Sequence, residues 1–219
     1  MSNSKSLLSI KNLCIETEQL RLIKNFNLEL KAGECKGISA PTGTGKTTLF
    51  NYIAGLLPQK EYTITGELVK APNLKIAYVF QEPRLIPGLN ALKNVMLPLE
   101  NILEPERAIS ASRIWLERFK LSNKANALPN NLSGGEQQRV NLVRAFAYLA
   151  ASVPEPVEGP HQNALLLLDE PFASQDEENA RNIQSLIKEM LFMQKKSALI
   201  ISHDKTMLAQ ICSEVFQIK

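Results

Sequence analysis

The nonapeptide Ala-Pro-Thr-Gly-Thr-Gly-Lys-Thr-Thr, residues 40–48, decides how this chain folds. An apolar-leaning run ending at Ile38 precedes it, and Leu49, Phe50, Ile53, Ala54, Leu56 and Leu57 follow at helical spacing. The nonapeptide therefore joins a strand to a helix, the context that separates a phosphate-binding loop from a chance match. Gly43 and Gly45 let the backbone turn tightly and aim several N–H groups at one point. The helix beginning near Lys46 adds its positive N-terminal end, which favours an anion there. Lys46 can reach outer phosphates as a mobile point charge, and the Thr47 hydroxyl can ligate Mg²⁺. The candidate nucleotide cradle is thus Pro41, Thr42, Gly43, Thr44, Gly45, Lys46, Thr47 and Thr48. Ala40 stands where the motif normally opens on glycine, and its methyl group requires a negative φ.

Upstream, residues 7–15 and 21–30 alternate in polarity and read as strands of a small antiparallel sheet. Residues 35–39 are the strand entering the loop, and Lys36 within it is expected to face solvent near a sheet edge. Downstream, residues 62–70 read as a strand with a turn or bulge at Gly66. Residues 75–80 form a strand that runs into Gln81-Glu82-Pro83-Arg84. Residues 91–120 have a helical pattern interrupted at Pro98 and Pro105, with Ile109, Ile114, Trp115, Leu116 and Phe119 as its core face. Residues 122–131 are a polar loop.

Leu132-Ser133-Gly134-Gly135-Glu136 opens a second helix, which runs to about Ala150. Ser133 and Glu136 match a capping box. A cap does not explain two glycines, each costing about 1 kcal/mol inside a helix. Bare backbone at a helix start suits close approach of a phosphate, so this reads as a second anion-binding terminus. Residues 151–163 hold three prolines and His161 and read as a surface loop. Residues 164–168 are wholly apolar, as in a central parallel strand, and end in Asp169-Glu170. Adjacent carboxylates at such a strand end are costly unless a cation or substrate uses them. Residues 197–202 form another buried strand, ending in His203-Asp204; a helix (206–212) and a last strand (215–218) follow.

At 219 residues, 44% hydrophobic and 21% charged, the chain can bury a sizeable core, and it is read as one domain over 1–219. A net charge of +3, with no basic cluster interleaved with aromatics, argues against nucleic acid. Cys14, Cys35 and Cys212 are too dispersed for a zinc site and suit a reducing cytoplasm. No apolar run reaches the eighteen or so residues that cross a bilayer, so any membrane span must come from another chain.

These motifs, in this order, give the chain a resemblance to the ATP-binding cassette (ABC) family over essentially its whole length. The phosphate loop is followed by Gln81, Leu-Ser-Gly-Gly-Glu at 132–136, Leu-Leu-Leu-Leu-Asp-Glu-Pro at 165–171, Ala-Ser-Gln-Asp at 173–176 and Ile-Ser-His-Asp at 201–204. The resemblance implies an α/β fold. It would have a P-loop NTPase (RecA-like) core, an N-terminal antiparallel β subdomain and an α-helical subdomain inserted at about 84–135, with a proline-rich insertion at about 151–163. It also implies hydrolysis of ATP with Mg²⁺. Lys46 would hold the outer phosphates, and Thr47, Gln81 and Asp169 the metal. Glu170 would act as general base or polariser for the attacking water, Gln81 would touch the metal or that water, and His203 would contact the γ-phosphate and position the water. Ser133, Gly134 and Gly135 would bind ATP held by a second subunit, with Asp176 at that interface. Partners would be a homodimer mate or paired cassette, membrane permease subunits and a solute-binding protein, with the chain peripheral on the inner membrane face.

One departure bears on the base. An aromatic residue usually stacks on adenine near position 17, where this chain has Thr17. Loss of one ring costs about 1–3 kcal/mol, so weaker or less adenine-selective binding is expected. Residues 81–97 are similar to importers of the nitrate, sulfonate and taurine group. Asn-Val-Met-Leu-Pro-Leu within this segment is similar to lipoprotein-releasing and peptide-exporting cassettes. A non-transport ABC protein is a further alternative, although the long coiled coil or second cassette usual there is missing from this sequence.

Overall fold

The computed structural model describes residues 6–39, 41, 43–152, 163–192 and 196–218. β1 (Ser6–Glu16) and β2 (Arg21–Lys31) form an antiparallel hairpin whose apolar residues meet across the ladder. Leu8 faces Leu30, Ile10 faces Leu28, Leu13 faces Phe26 and Ile15 faces Ile23. The alternation slips between Ile10 and Leu13, where Asn12 takes a φ of 51°. This bulge is legible on the partner too: β4 (Thr63–Lys70) pairs with the other side of β1, and Gly66 lies opposite the slip with φ 97°. A Cβ on Gly66 would sit 2.6 Å from the Asn12 carbonyl oxygen, so both space and φ require glycine. Gly66→Ala is expected to cost about 3 kcal/mol, read as a clear drop in the thermal midpoint. An unchanged midpoint would mean that the bulge relaxes.

The second sheet is parallel, in the order β5 (Lys75–Val79), β6 (Ala164–Asp169), β7 (Ser197–Ile201), β3 (Cys35–Ser39), β8 (Glu214–Gln217). All six residues of β6 are buried, because layers cover both faces of the strand. Leu165 and Leu167 pack with Leu49, Phe50 and Ile53 of α1 (Lys46–Ala54), beside the antiparallel sheet. Leu166 and Leu168 face the opposite core, built with the remaining helices. Each fully buried leucine contributes about 1.5–3 kcal/mol, which fixes the register of the strand that carries Asp169.

The position of β3 corrects one expectation. Lys36 is not at a sheet edge, because β8 adds a further strand outside β3. The lysine instead reaches the Glu214 carboxylate at 2.8 Å and lies 5.3 Å from the Phe216 ring centroid. The edge position falls to β8, a strand of only four residues.

The helical layer comprises α2 (Ala91–Met96), α3 (Pro105–Arg118), α4 (Gly134–Ser152), α5 (Glu177–Phe192) and α6 (Lys205–Ile211). Pro105 starts α3 rather than interrupting it, as its fixed φ and missing N–H allow in a first turn. Trp115 and Phe119 are buried against Phe146 of α4 in edge-to-face pairs at 5.7 and 5.3 Å. Ile109 and Ile114, expected in that core, are 37% and 54% exposed. The buried stripe runs through Ala108, Ser112, Trp115 and Leu116 instead. Ser112 is admitted because its hydroxyl donates back to the Ala108 carbonyl at 2.7 Å. Two short 3-10 turns, Ser122–Lys124 and Pro129–Asn131, replace the expected polar loop. The proline-rich stretch begins later than expected, since α4 continues to Ser152. Residues 153–162, with His161, lie outside the described residues.

Candidate functional site

Three parallel strands end side by side, and their exits carry the polar groups. β3 leads into the phosphate loop, β6 ends at Asp169 and β7 leads to His203. Gly43 and Gly45 take φ of 82° and 80°, the left-handed region. At Gly45 a Cβ would also meet Leu22 Cβ at 2.9 Å, so β2 presses directly on the helix entry. Among the described residues, no side chain caps the N-terminus of α1. The backbone donors of its first turn thus face outward, as an anion site requires. Thr44 Oγ1 donates to the Pro41 carbonyl at 2.8 Å and tightens the loop. Thr48 lies in the first turn of α1, half-buried. Ala40 and Thr42, both within the nonapeptide, lie outside the described residues.

Lys46 is buried; its Nζ donates to the Pro41 carbonyl and lies 3.2 Å from His203 Nε2. Burial pushes the lysine below its ordinary pKa, while Glu170 and Asp169 pull it up. Thr47 Oγ1 donates to Asp169 Oδ2 at 2.8 Å. Burial raises the Asp169 carboxyl, the Thr47 hydroxyl pulls it back, and the neighbouring Glu170 charge raises it further. Glu170 sits at the turn after β6 with φ 50°, a conformation uncommon for any residue with a side chain. Its Oε2 accepts from the His203 backbone N–H at 3.3 Å. Its Oε1 lies 3.2 Å from His203 Nε2, outside hydrogen-bond alignment, and is a buried acceptor with no hydrogen-bond donor among the described residues. Each such group costs roughly 1–3 kcal/mol, tolerated where a reacting molecule will use it.

A triphosphate fits this donor set: an uncapped helix start, a desolvated lysine and bare glycine backbone. A divalent cation fits the Thr47 and Asp169 oxygens, hard ligands already within 2.8 Å of one another. Gln81 follows β5, the strand paired with β6, and is exposed with no hydrogen bond of its own among the described residues.

Ser133, Gly134, Gly135 and Asp176 form a second group, at the heads of α4 and α5. The capping box is complete: Glu136 N donates to Ser133 Oγ at 3.2 Å, and Ser133 N donates to Glu136 Oε2 at 2.8 Å. That backbone donor holds the Glu136 carboxyl below its ordinary range. The two glycines differ. A Cβ on Gly134 would meet nothing within 4 Å, whereas one on Gly135 would meet the Ser174 carbonyl oxygen at 2.7 Å. Packing alone therefore requires Gly135, and Gly134 alone is left without a packing reason. Asp176 is exposed and accepts from the Asn179 backbone and side-chain amides at 2.8 and 2.7 Å, so it starts α5.

The sequence reading missed a polar ladder on α4. Gln138 and Asn141, both buried, donate to the Phe80 carbonyl, and Arg144 donates to the Arg84 carbonyl. Amides and guanidinium at i, i+3 and i+6 of an otherwise apolar helix were the available signal.

Against this geometry, the ABC transporter family pattern matches residues 23–153. The lipoprotein-releasing system ATP-binding protein LolD of Saccharophagus degradans is 30% identical, over 98% of this chain and 93% of that protein. The aliphatic sulfonates import ATP-binding protein SsuB 1 of Xanthomonas axonopodis pv. citri is 32% identical, over 93% and 77%. Among solved structures, the dimeric post-hydrolysis state of the ATP-binding cassette MJ0796 bound to ADP and Pi superposes with a TM-score of 0.81. It is 29% identical, with 97% of this chain and 94% of that chain covered. MJ0796 is a protein of Methanocaldococcus jannaschii. Phosphate loop, paired carboxylates and capped Gly-Gly helix thus lie on the fold expected of them, and the chain belongs to the ABC transporter family, as an ATPase of that family.

Proposed function

We propose that this chain binds and hydrolyses Mg-ATP in a head-to-tail dimer and so drives solute import through separate membrane subunits. The observation that carries the reading is the convergence at one helix start of Lys46, the Thr47–Asp169 pair and the unsatisfied Glu170 Oε1. Mg²⁺, held by Thr47 and Asp169 with Gln81 nearby, would neutralise developing charge on the phosphates. Lys46 would bind the β- and γ-phosphates. Glu170 Oε1 would accept a hydrogen bond from the attacking water and take its proton. His203, whose backbone holds Oε2, would orient that carboxylate and meet the γ-phosphate. Ser133, Gly134 and Gly135 of one protomer would contact the terminal phosphate held by the other, with Asp176 beside them. The phosphate charge would then hold the halves together until hydrolysis releases them. The dimeric neighbour structures support this pairing.

The chain would be peripheral at the inner membrane face, bound to permease subunits, since no helix among the described residues is long and apolar enough to cross a membrane. Likeness to the sulfonate import ATPase supports import, which would add a solute-binding protein to the partners. A second reading, an ATPase for lipoprotein release, is favoured by the near full-length match to LolD. Phosphate release from Mg-ATP by the purified chain, lost in Lys46→Ala, tests the ATPase. Capture of its membrane partner from cell membranes, with or without a solute-binding protein, separates the two cargo readings.

Base selectivity should be low. Thr17 spends its hydroxyl on its own turn, donating to the Leu20 carbonyl at 3.2 Å and accepting from Leu20 N at 3.0 Å. GTP is expected to be hydrolysed with a kcat/KM within about tenfold of that for ATP, because a hydroxyl engaged in its own turn reads no base edge and any remaining stacking is tolerant of the base. A preference above a hundredfold would require a base-reading contact elsewhere.

A further inference from the structure

We infer that Asn141 of α4 is a positioning residue for hydrolysis, acting through the loop that carries Gln81. The inference rests on the proposed reading in which Gln81 touches the metal or the attacking water. Gln81 makes no hydrogen bond of its own among the described residues, so its place depends on how its neighbours are held. They are held from one helix. Asn141 Nδ2 donates to the Phe80 carbonyl at 3.0 Å, and Gln138 Nε2 donates to the same oxygen at 3.4 Å. Arg144 Nη1 donates to the Arg84 carbonyl at 2.9 Å. The carbonyl just before Gln81 and the one three residues after it are thereby fixed to α4.

Asn141 joins these ties into one unit. Its Nδ2 also donates to Gln138 Oε1 at 3.2 Å, and its Oδ1 accepts from Arg144 Nη2 at 3.0 Å. Both amide hydrogens and the amide oxygen are used, at a side chain 1% exposed. A half-satisfied network at such a site would cost more than an apolar residue, so a complete one specifies a single loop position. The loop closes on itself as well, with the Arg84 guanidinium 4.0 Å from the Phe80 ring centroid. Gln138 stands one helical turn after Gly134, so the ladder rigidly links the Gly-Gly tip of α4 to the exit of β5. A displacement of that tip by a partner's nucleotide would be carried to Gln81 in the same protomer.

A double-mutant cycle on the full chain tests this. Asn141→Ala is expected to lower kcat for ATP by about tenfold while KM moves less than about twofold. In a Gln81→Ala background the same substitution should change kcat by less than about twofold, since the group it positions is gone. Limited trypsin cleavage after Arg84 should be faster in Asn141→Ala, with hydrogen-exchange protection of β6 retained. Arg144→Gln, at a partly exposed site, releases the Arg84 carbonyl and the Asn141 Oδ1 but leaves both donors to the Phe80 carbonyl in place, and should reduce kcat in the same direction by less. Equal losses in both backgrounds would overturn the inference, as would an unchanged kcat or unchanged cleavage after Arg84. Wild-type chain that hydrolyses ATP while the cycle is additive defeats this inference alone; wild-type chain with no ATPase defeats the proposed function and this inference with it.

Discussion

Glu170→Gln is expected to slow ATP hydrolysis by about a thousandfold and to accumulate an ATP-bound dimer. The substitution keeps the shape of the side chain and an oxygen able to accept from the His203 backbone N–H, which now holds Oε2 at 3.3 Å. What it removes is the basic oxygen: an amide cannot take the proton of the attacking water, and general-base catalysis is commonly worth about 10²–10⁴. It also removes the like charge that helps to push the Asp169 carboxyl upward, so Asp169 ionises more readily beside Thr47 and Mg²⁺ binding is retained. Nucleotide is then bound and not consumed, and the phosphate charge that bridges the halves persists. Size-exclusion chromatography with Mg-ATP should show a dimer for the variant and a monomer once nucleotide is removed. A variant that elutes as a monomer in Mg-ATP would overturn the sandwich arrangement, and one that hydrolyses within about tenfold of wild type would remove Glu170 from the reaction.

Where the sequence was legible, local chemistry and tertiary packing demanded the same residue. Gly43 and Gly45 stand out because positive φ admits little else. Asp169 and Glu170 stand out because charge at the end of a buried strand is improbable without use. The capping box could be read because its two hydrogen bonds span only three residues. Most illegible features depend on chain segments far apart in sequence. Lys36 was misplaced because nothing in residues 35–39 says that residues 214–217 will add outside them. Ile109 and Ile114 were misplaced because a serine at position 112 hides the true stripe, its hydroxyl silenced by the turn before it. Gly135 shows only its phosphate role in the sequence, because nothing near it says that the turn after β6 will bring the Ser174 carbonyl close enough to exclude a side chain as well. The α4 ladder escaped notice because Gln138 and Arg144 look like solvated helix residues until the loop after β5 packs on them.

That asymmetry between the two glycines makes a sharper probe of the partner contact than the serine beside them. Ser133→Arg should abolish turnover and leave ATP binding intact, but it also removes half of the capping box, at about 1 kcal/mol. Gly134→Asp carries no such penalty: space around the new Cβ is open, its φ is not in the left-handed region, and an acidic residue suits the first turn of a helix. The isolated chain should therefore keep its thermal midpoint within a few degrees and bind ATP with unchanged affinity, because the phosphate loop that holds it belongs to the other group of residues. In the dimer the same carboxylate would meet the terminal phosphate held by the partner, and like charges at close range in a partly desolvated interface cost several kcal/mol. Turnover should fall at least about a hundredfold, and the Glu170→Gln variant carrying Gly134→Asp should no longer form the ATP-bound dimer. Gly135→Ala is the contrast: it should destabilise the free chain by colliding with Ser174, whether or not a partner is present. If Gly134→Asp weakened ATP binding by the monomer as much as it slowed turnover, the Gly-Gly tip would have to serve its own protomer's nucleotide, and the head-to-tail geometry would be wrong for this chain.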